Sequence, residues 1–149
     1  MGLIYGVGIT ENSEFNSRSP QYQKWFDMIR RCYDPIYLNN KPTYRDCFVE
    51  DTLLYLQNFG EWYNENYYEI QGENIHLDKD ILCKGNKIYS TENMVFVPEG
   101  INSLFTSRVN HRGDLPIGVV YHKQTQKFKA QCNNGKGKMV SLGLYNTPI

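Results

Sequence analysis

Residues 74–105 read NIHLDKDILCKGNKIYSTENMVFVPEGINSLF. NIHLDKDIL is a short strand-like run, and CKGNKIYSTEN is a polar loop carrying the turn pair Gly85-Asn86. MVFVP is a second strand-like run, and EGINSLF is composed for a short helix after Pro98. Strand, loop, strand and helix within one short stretch make a self-contained unit. It sets the expectation of an α+β fold.

Upstream, SRSPQYQKWFDMIRRCYDP has the punctuation of a helix: Ser19 to cap it, Pro20 at its first position, and Asp34-Pro35 to stop it. Trp25, Phe26, Ile29, Cys32 and Tyr33 recur at helical spacing and form the predicted core stripe, with Arg30 and Arg31 on the outer side. A second helical stretch is expected from about Asp51, with Leu53, Leu56, Phe59 and Tyr63 on one side and Gly60 as a point of kinking or division. Between the two, YLNNKPTYRDCFV reads as an ordered loop. Downstream, the polar TSRVNHRGD is the expected boundary, giving parts 1–105 and 106–149. IGVVYH, KFKAQC and MVSLGLY then read as three strands separated by the turn-forming KQTQ and NNGKGK.

The 149-residue chain is 40% hydrophobic and 21% charged, which excludes a disordered or fibrous protein. No apolar run reaches the ~18 residues of a membrane span, and the N-terminus lacks a signal peptide's basic start; the expectation is a soluble, cytoplasmic protein. Cys32, Cys47, Cys83 and Cys132 are too dispersed for a C-x-x-C site, so free buried thiols are expected and a zinc site is not. The net charge of zero conceals a division. Residues 1–105 carry nine Lys/Arg against fifteen Asp/Glu, and residues 106–149 carry seven against one, or −6 and +6. A cationic tail on an acidic body points to an anionic partner, nucleic acid first. Twelve tyrosines are consistent with base stacking but more often mean that a small domain fills its core with large rings.

Metal-assisted phosphodiester hydrolysis needs a hard oxygen ligand, a second ligand opposite it, and a base near the attacking water. Asp78 in the first strand, Asn93 before the second and Asn102 in the helix have a spacing that resembles the HNH, or ββα-metal, nuclease motif. On that resemblance Asp78 and Asn102 are metal ligands for one Mg²⁺ or Mn²⁺ ion, Asn93 is the structural asparagine that pins the loop, and Lys79 stands where the motif has its catalytic His. Lysine, with a reference pKa of ~10.4, is a base only if a nearby cation or burial lowers that value. His76, two residues before Asp78 and on the same strand face, is the other candidate base.

A wider pattern, YQKWFDMIRRCYD, KPTYRDCFVEDTLLYLQNFGEWY, HLDKDILCKGNKIYSTENMVFVPEGINSLF and RGDLPIGV, resembles phage-encoded HNH endonuclease-like proteins with a C-terminal DNA-binding domain of the plant ethylene-response-factor (APETALA) type. The resemblance implies an HNH core with N-terminal helices plus a small three-stranded antiparallel sheet. It also implies double-stranded DNA as partner and a phage-type DNA endonuclease activity in a host-cell cytoplasm. In residues 116–148, Lys127, Lys129 and Gln131 alternate with Phe128, Ala130 and Cys132, so one face suits a groove and the other suits packing. His122, Lys123, Lys136, Lys138 and the upstream Arg112 add phosphate contacts. Ile117 and Phe128 replace the related domain's arginine and tryptophan, so weak sequence specificity is expected. That pattern would continue past Ile149 into a helix, without which Val140, Leu142, Leu144, Phe128 and Ala130 lack their usual cover. The competing expectation is a catalytically inactive HNH-like protein that occupies DNA or inhibits a host nuclease in an anti-defence role.

Overall fold

Helix α1 (Pro20–Tyr33) starts where the Ser19 hydroxyl accepts from the Tyr22 N–H and Pro20 presets the first turn, and Asp34 ends it in an extended conformation. In the computed structural model, which describes residues 2–105 and 114–148, the chain is an α+β protein of two units, Met1–Phe105 and Thr106–Ile149. Trp25, Met28, Ile29 and Cys32 of α1 are buried, and the Trp25 indole N–H donates to the Leu53 carbonyl at 3.0 Å. Arg31, expected on the outer side, is largely covered, with its guanidinium 3.8 Å from Asp27.

Asp34 does two jobs. Its carboxylate accepts from the Ile36 N–H, opening a short helix α2 (Pro35–Asn40) where the sequence read as loop. The same Asp-Pro pair that stops one helix supplies the N-cap and first-turn proline of the next. A 3₁₀ turn, Pro42–Tyr44, follows.

The second helical region begins one turn later than expected. A 3₁₀ turn (Asp51–Leu54) is separated from helix α3 (Leu56–Asn66) by the extended Tyr55. The N-terminal segment causes the break: Ile9 donates to the Leu54 carbonyl and accepts from the Leu56 N–H, both at 2.9 Å. Gly60 does not divide α3, which runs unbroken through it. It is there because the Phe15 ring lies against the helix, where any Cβ would collide with it.

Four strands complete the first unit. β1 (Phe48–Val49) pairs in parallel with β3 (Ile88–Tyr89), and β2 (Ile75–Asp78) pairs antiparallel with β4 (Val95–Pro98). Helix α4 (Glu99–Phe105) packs against β2 and β4, its first N–H donating to the Asn74 carbonyl at 2.8 Å. The strand, loop, strand, helix order read from residues 74–105 is therefore present. The two-residue strands β1 and β3 were not legible, because so short a pair has no periodicity.

The second unit is a three-stranded antiparallel sheet of β5 (Val119–His122), β6 (Lys127–Asn133) and β7 (Met139–Tyr145). Pairing shifts between Ala130, opposite Gly143, and Gln131, opposite Ser141, leaving Leu142 as a bulge. None of this unit's described residues is buried. Among the described residues no helix is long and apolar enough to cross a membrane.

Two of the four thiols depart from the expected burial: Cys32 and Cys47 are buried, whereas Cys83 and Cys132 are exposed. Burial pushes the Cys32 thiol up to about 12 and raises Cys47 above its ordinary value. Thiolate is the reactive form. In a thiol titration of the native protein at pH 8, Cys83 and Cys132 are expected to react within minutes, with Cys32 and Cys47 following only on unfolding. Replacing Trp25 with alanine is expected to cost about 3–5 kcal/mol in urea denaturation, because a fully enclosed indole and its hydrogen bond are lost together.

Candidate functional site

Strand β2 alternates strictly: Ile75 and Leu77 are buried, while His76 and Asp78 are half-exposed on the opposite face. The alternation continues one residue further and turns Lys79 inward, leaving it only 5% exposed. A buried ammonium must be matched by acceptors. Lys79 Nζ donates to both Asp80 carboxylate oxygens at 2.8 Å and to the Asn86 carbonyl at 2.7 Å. It also lies 6.0 Å from the Tyr44 ring centroid and 5.8 Å from that of Tyr89, where the negative ring faces favour a cation. Burial raises the hydroxyl pKa values of both tyrosines, keeping the rings neutral.

In this arrangement Lys79, the residue at the motif's base position, serves as a donor to its own loop. Its three donor directions are spent on the chain itself, on the side of β2 away from Asp78. Lys79 is a structural cation that holds the loop.

Asn86, which the sequence reading did not single out, ties the loop with its side chain. The Asn86 amide donates to the Lys79 and Ile88 carbonyls at 2.9 and 2.6 Å, and its oxygen accepts from the Ile88 N–H at 3.0 Å. One side chain thereby ties the exit of β2 to the entrance of β3. Asn93 takes part through its backbone, donating to the Ser90 carbonyl at 3.1 Å. The clue available in sequence was Gly85, which adopts φ +79° in the turn just before Asn86.

On the outward face, Asp78 Oδ1 accepts from the Asp80 and Ile81 N–H groups at 2.7 and 2.8 Å, capping the turn that leaves β2. Its second oxygen accepts no hydrogen bond among the described residues. Glu99, at the start of α4, lies 3.9 Å from His76 Nε2 and accepts from the Asn74 amide at 3.2 Å. Asn102 lies one turn further along the same helix and is half-buried. The hairpin thus places His76, Asp78 and Glu99 on one half-exposed surface, with Asn102 on the helix that packs there. Among the described residues no group of three or more His, Cys, Asp or Glu gathers to hold a metal ion.

In the sheet, the antiparallel register puts Val120, His122, Lys127, Lys129 and Gln131 on one face. Leu144, grouped by sequence with the uncovered apolar residues, pairs with Lys129 and therefore stands on this lysine face. His122 Nδ1 lies 2.9 Å from the Thr125 hydroxyl, which orients the ring. Lys136 and Lys138 extend from a loop fixed by Asn134, whose side chain accepts both their backbone N–H groups. Lys123 is exposed in the β5–β6 turn, and Arg112 lies outside the described residues.

Comparison with protein-family models, with curated proteins and with solved structures found no match for this chain.

If Lys79 anchors the loop, its replacement by methionine should lower stability by about 1–3 kcal/mol, since the Asn86 carbonyl loses its charged donor. Limited proteolysis should then open residues 79–94 first. A Lys79→Met protein with unchanged stability and loop protection would contradict this assignment.

Proposed function

We propose that the protein is an HNH-type, phage-class endonuclease that hydrolyses double-stranded DNA with the help of one Mg²⁺ or Mn²⁺ ion. The observation that carries this reading is the hairpin of β2, loop, β4 and α4, with His76 and Asp78 together on its outward face and α4 clipped to β2 through Glu99. The donor chemistry fits a hard divalent cation. Asp78 Oδ1 is committed to two backbone N–H groups while its other oxygen accepts no hydrogen bond among the described residues, and Asn102 carries an amide on the helix that follows. Mg²⁺ is commonly held by one or two such protein ligands, with water and a substrate phosphate filling the rest of its shell. When bound, the ion supplies charge stabilisation to the phosphodiester under attack.

The chain's own residues do the remaining work. His76 takes the proton from the attacking water, with Glu99 beside its Nε2 to orient the ring. Lys79, Asp80 and Asn86 hold the loop so that Asp78 cannot swing away. In the second unit, Lys127, Lys129, His122 and Gln131 on one sheet face, with Lys123, Lys136 and Lys138 beyond the strand ends, engage the duplex backbone. Lysine contacts position a protein on DNA without reading bases, which favours cutting of low sequence specificity.

A second reading has its own support. The residue at the motif's base position is a locked ammonium, and a single carboxylate serves the metal position. Those features suit a non-cleaving scaffold that occupies DNA or blocks a host nuclease.

Supercoiled plasmid incubated with the protein and Mg²⁺ or Mn²⁺ separates the two. Nicked or linear product is expected, abolished by Asp78→Ala and Asn102→Ala and slowed roughly 100-fold or more by His76→Ala. Plasmid binding with no metal-dependent cutting would favour the second reading.

A further inference from the structure

The first unit carries a cationic edge that its overall charge conceals. Segments 41–49 and 79–88 hold Lys41, Arg45, Lys79, Lys84 and Lys87 against Asp46 and Asp80, or +3, which leaves −9 for the rest of residues 1–105. The fold joins these two segments. Lys87 Nζ donates to the Thr43 and Arg45 carbonyls at 3.1 and 3.4 Å, the Phe48 N–H donates to the Lys87 carbonyl at 2.9 Å, and β1 runs beside β3.

The charge on this edge is uncompensated. Lys41, Arg45, Lys84 and Lys87 are all exposed, and none is paired with a carboxylate among the described residues. Asp80 is taken by Lys79, and Glu50, just past the edge, accepts from the Thr91 N–H at 3.2 Å. Elsewhere in the unit Arg30 and Arg31 share Asp27, and Lys24 donates to the Ile75 carbonyl at 2.6 Å.

The cations are also mounted on fixed turns. Lys41 and Arg45 flank the 3₁₀ turn that Pro42 opens, and two carbonyls hold the Lys87 ammonium in place. Lys84 stands in a turn closed by the Asn86 N–H on the Cys83 carbonyl at 3.0 Å, with Gly85 at φ +79°. The loop that bears it starts at the turn capped by Asp78, so the edge adjoins the candidate site along the chain.

We infer that this edge is a docking surface for the phosphate backbone of duplex DNA, belonging to the first unit itself and additional to the lysine face of the sheet. Ammonium groups presented on short turns suit phosphate oxygens, whereas lysines are depleted where proteins bind proteins. The acidic remainder of the unit repels DNA, so approach is steered to an edge where the sign reverses. The choice of DNA rests on the function proposed above, whereas the anion-docking edge does not.

The test is binding of a labelled duplex of about 20 base pairs to the full chain in EDTA, followed by fluorescence anisotropy from about 50 to 200 mM salt. Lys87 is left intact because it ties two segments together. Each backbone contact contributes roughly 0.9 to the slope of log K against log salt, so Lys41→Gln/Arg45→Gln/Lys84→Gln should flatten that slope by about 2–3 and weaken binding about tenfold or more. To cover misfolding of the triple variant, acetylation of wild-type protein with and without duplex, read by mass spectrometry, should show Lys41 and Lys84 protected. An unchanged slope in a folded triple variant, or lysines that react equally with duplex present, would overturn the inference. So would wild-type protein that binds no duplex, or that binds double-stranded RNA more tightly. With no metal present, failure of plasmid cutting leaves this result standing, and failure here leaves the cutting assay unaffected.

Discussion

The first unit is organised around a buried ammonium. Period-two alternation along β2 commits Lys79 to the interior, and a charge there must be surrounded by acceptors. Asp80, the Asn86 carbonyl and the faces of Tyr44 and Tyr89 provide them, and each of these draws in another piece of chain. Asn86 closes the loop upon itself, and β3 is carried alongside β1. The same alternation leaves His76 and Asp78 outward. His76 and Asp78 on β2 and Lys79 one residue past its end therefore face opposite ways, which is why adjacent residues in sequence take unrelated roles.

The second unit poses the converse problem. Among the described residues its three strands bury nothing and show no enclosed core of the kind that ordinarily offsets chain entropy. The register separates a face of lysines, His122 and Gln131 from a face of rings and small side chains. The Leu142 bulge keeps both assignments in phase through β7. A cationic face and an aromatic face on one thin sheet give it two chemically different surfaces.

Much of this was legible in the chain itself. Ser19-Pro20 and Asp34-Pro35 fixed α1 to the residue, because capping and proline geometry are local. The order of strand, loop, strand and helix in residues 74–105 followed from short apolar runs and turn formers, as did the three strands of the tail. His76 and Asp78 could be placed on one face by counting alternate residues. Helix α2, the interruption at Tyr55 and the β1–β3 pair escaped detection. The first lay hidden in a residue pair already assigned to ending α1, and the other two depend on partners far away in sequence.

Sequence determined the local elements and the separation of charge, since both follow from side chains and their near neighbours. Tertiary structure alone decided that Lys79 is buried against Asp80 and the Asn86 carbonyl, that Asn86 ties β2 to β3, and that Leu144 joins the lysines. Each of those outcomes turns on which acceptor, ring or strand stands opposite a residue. Burial and register, which no local pattern encodes, make that choice.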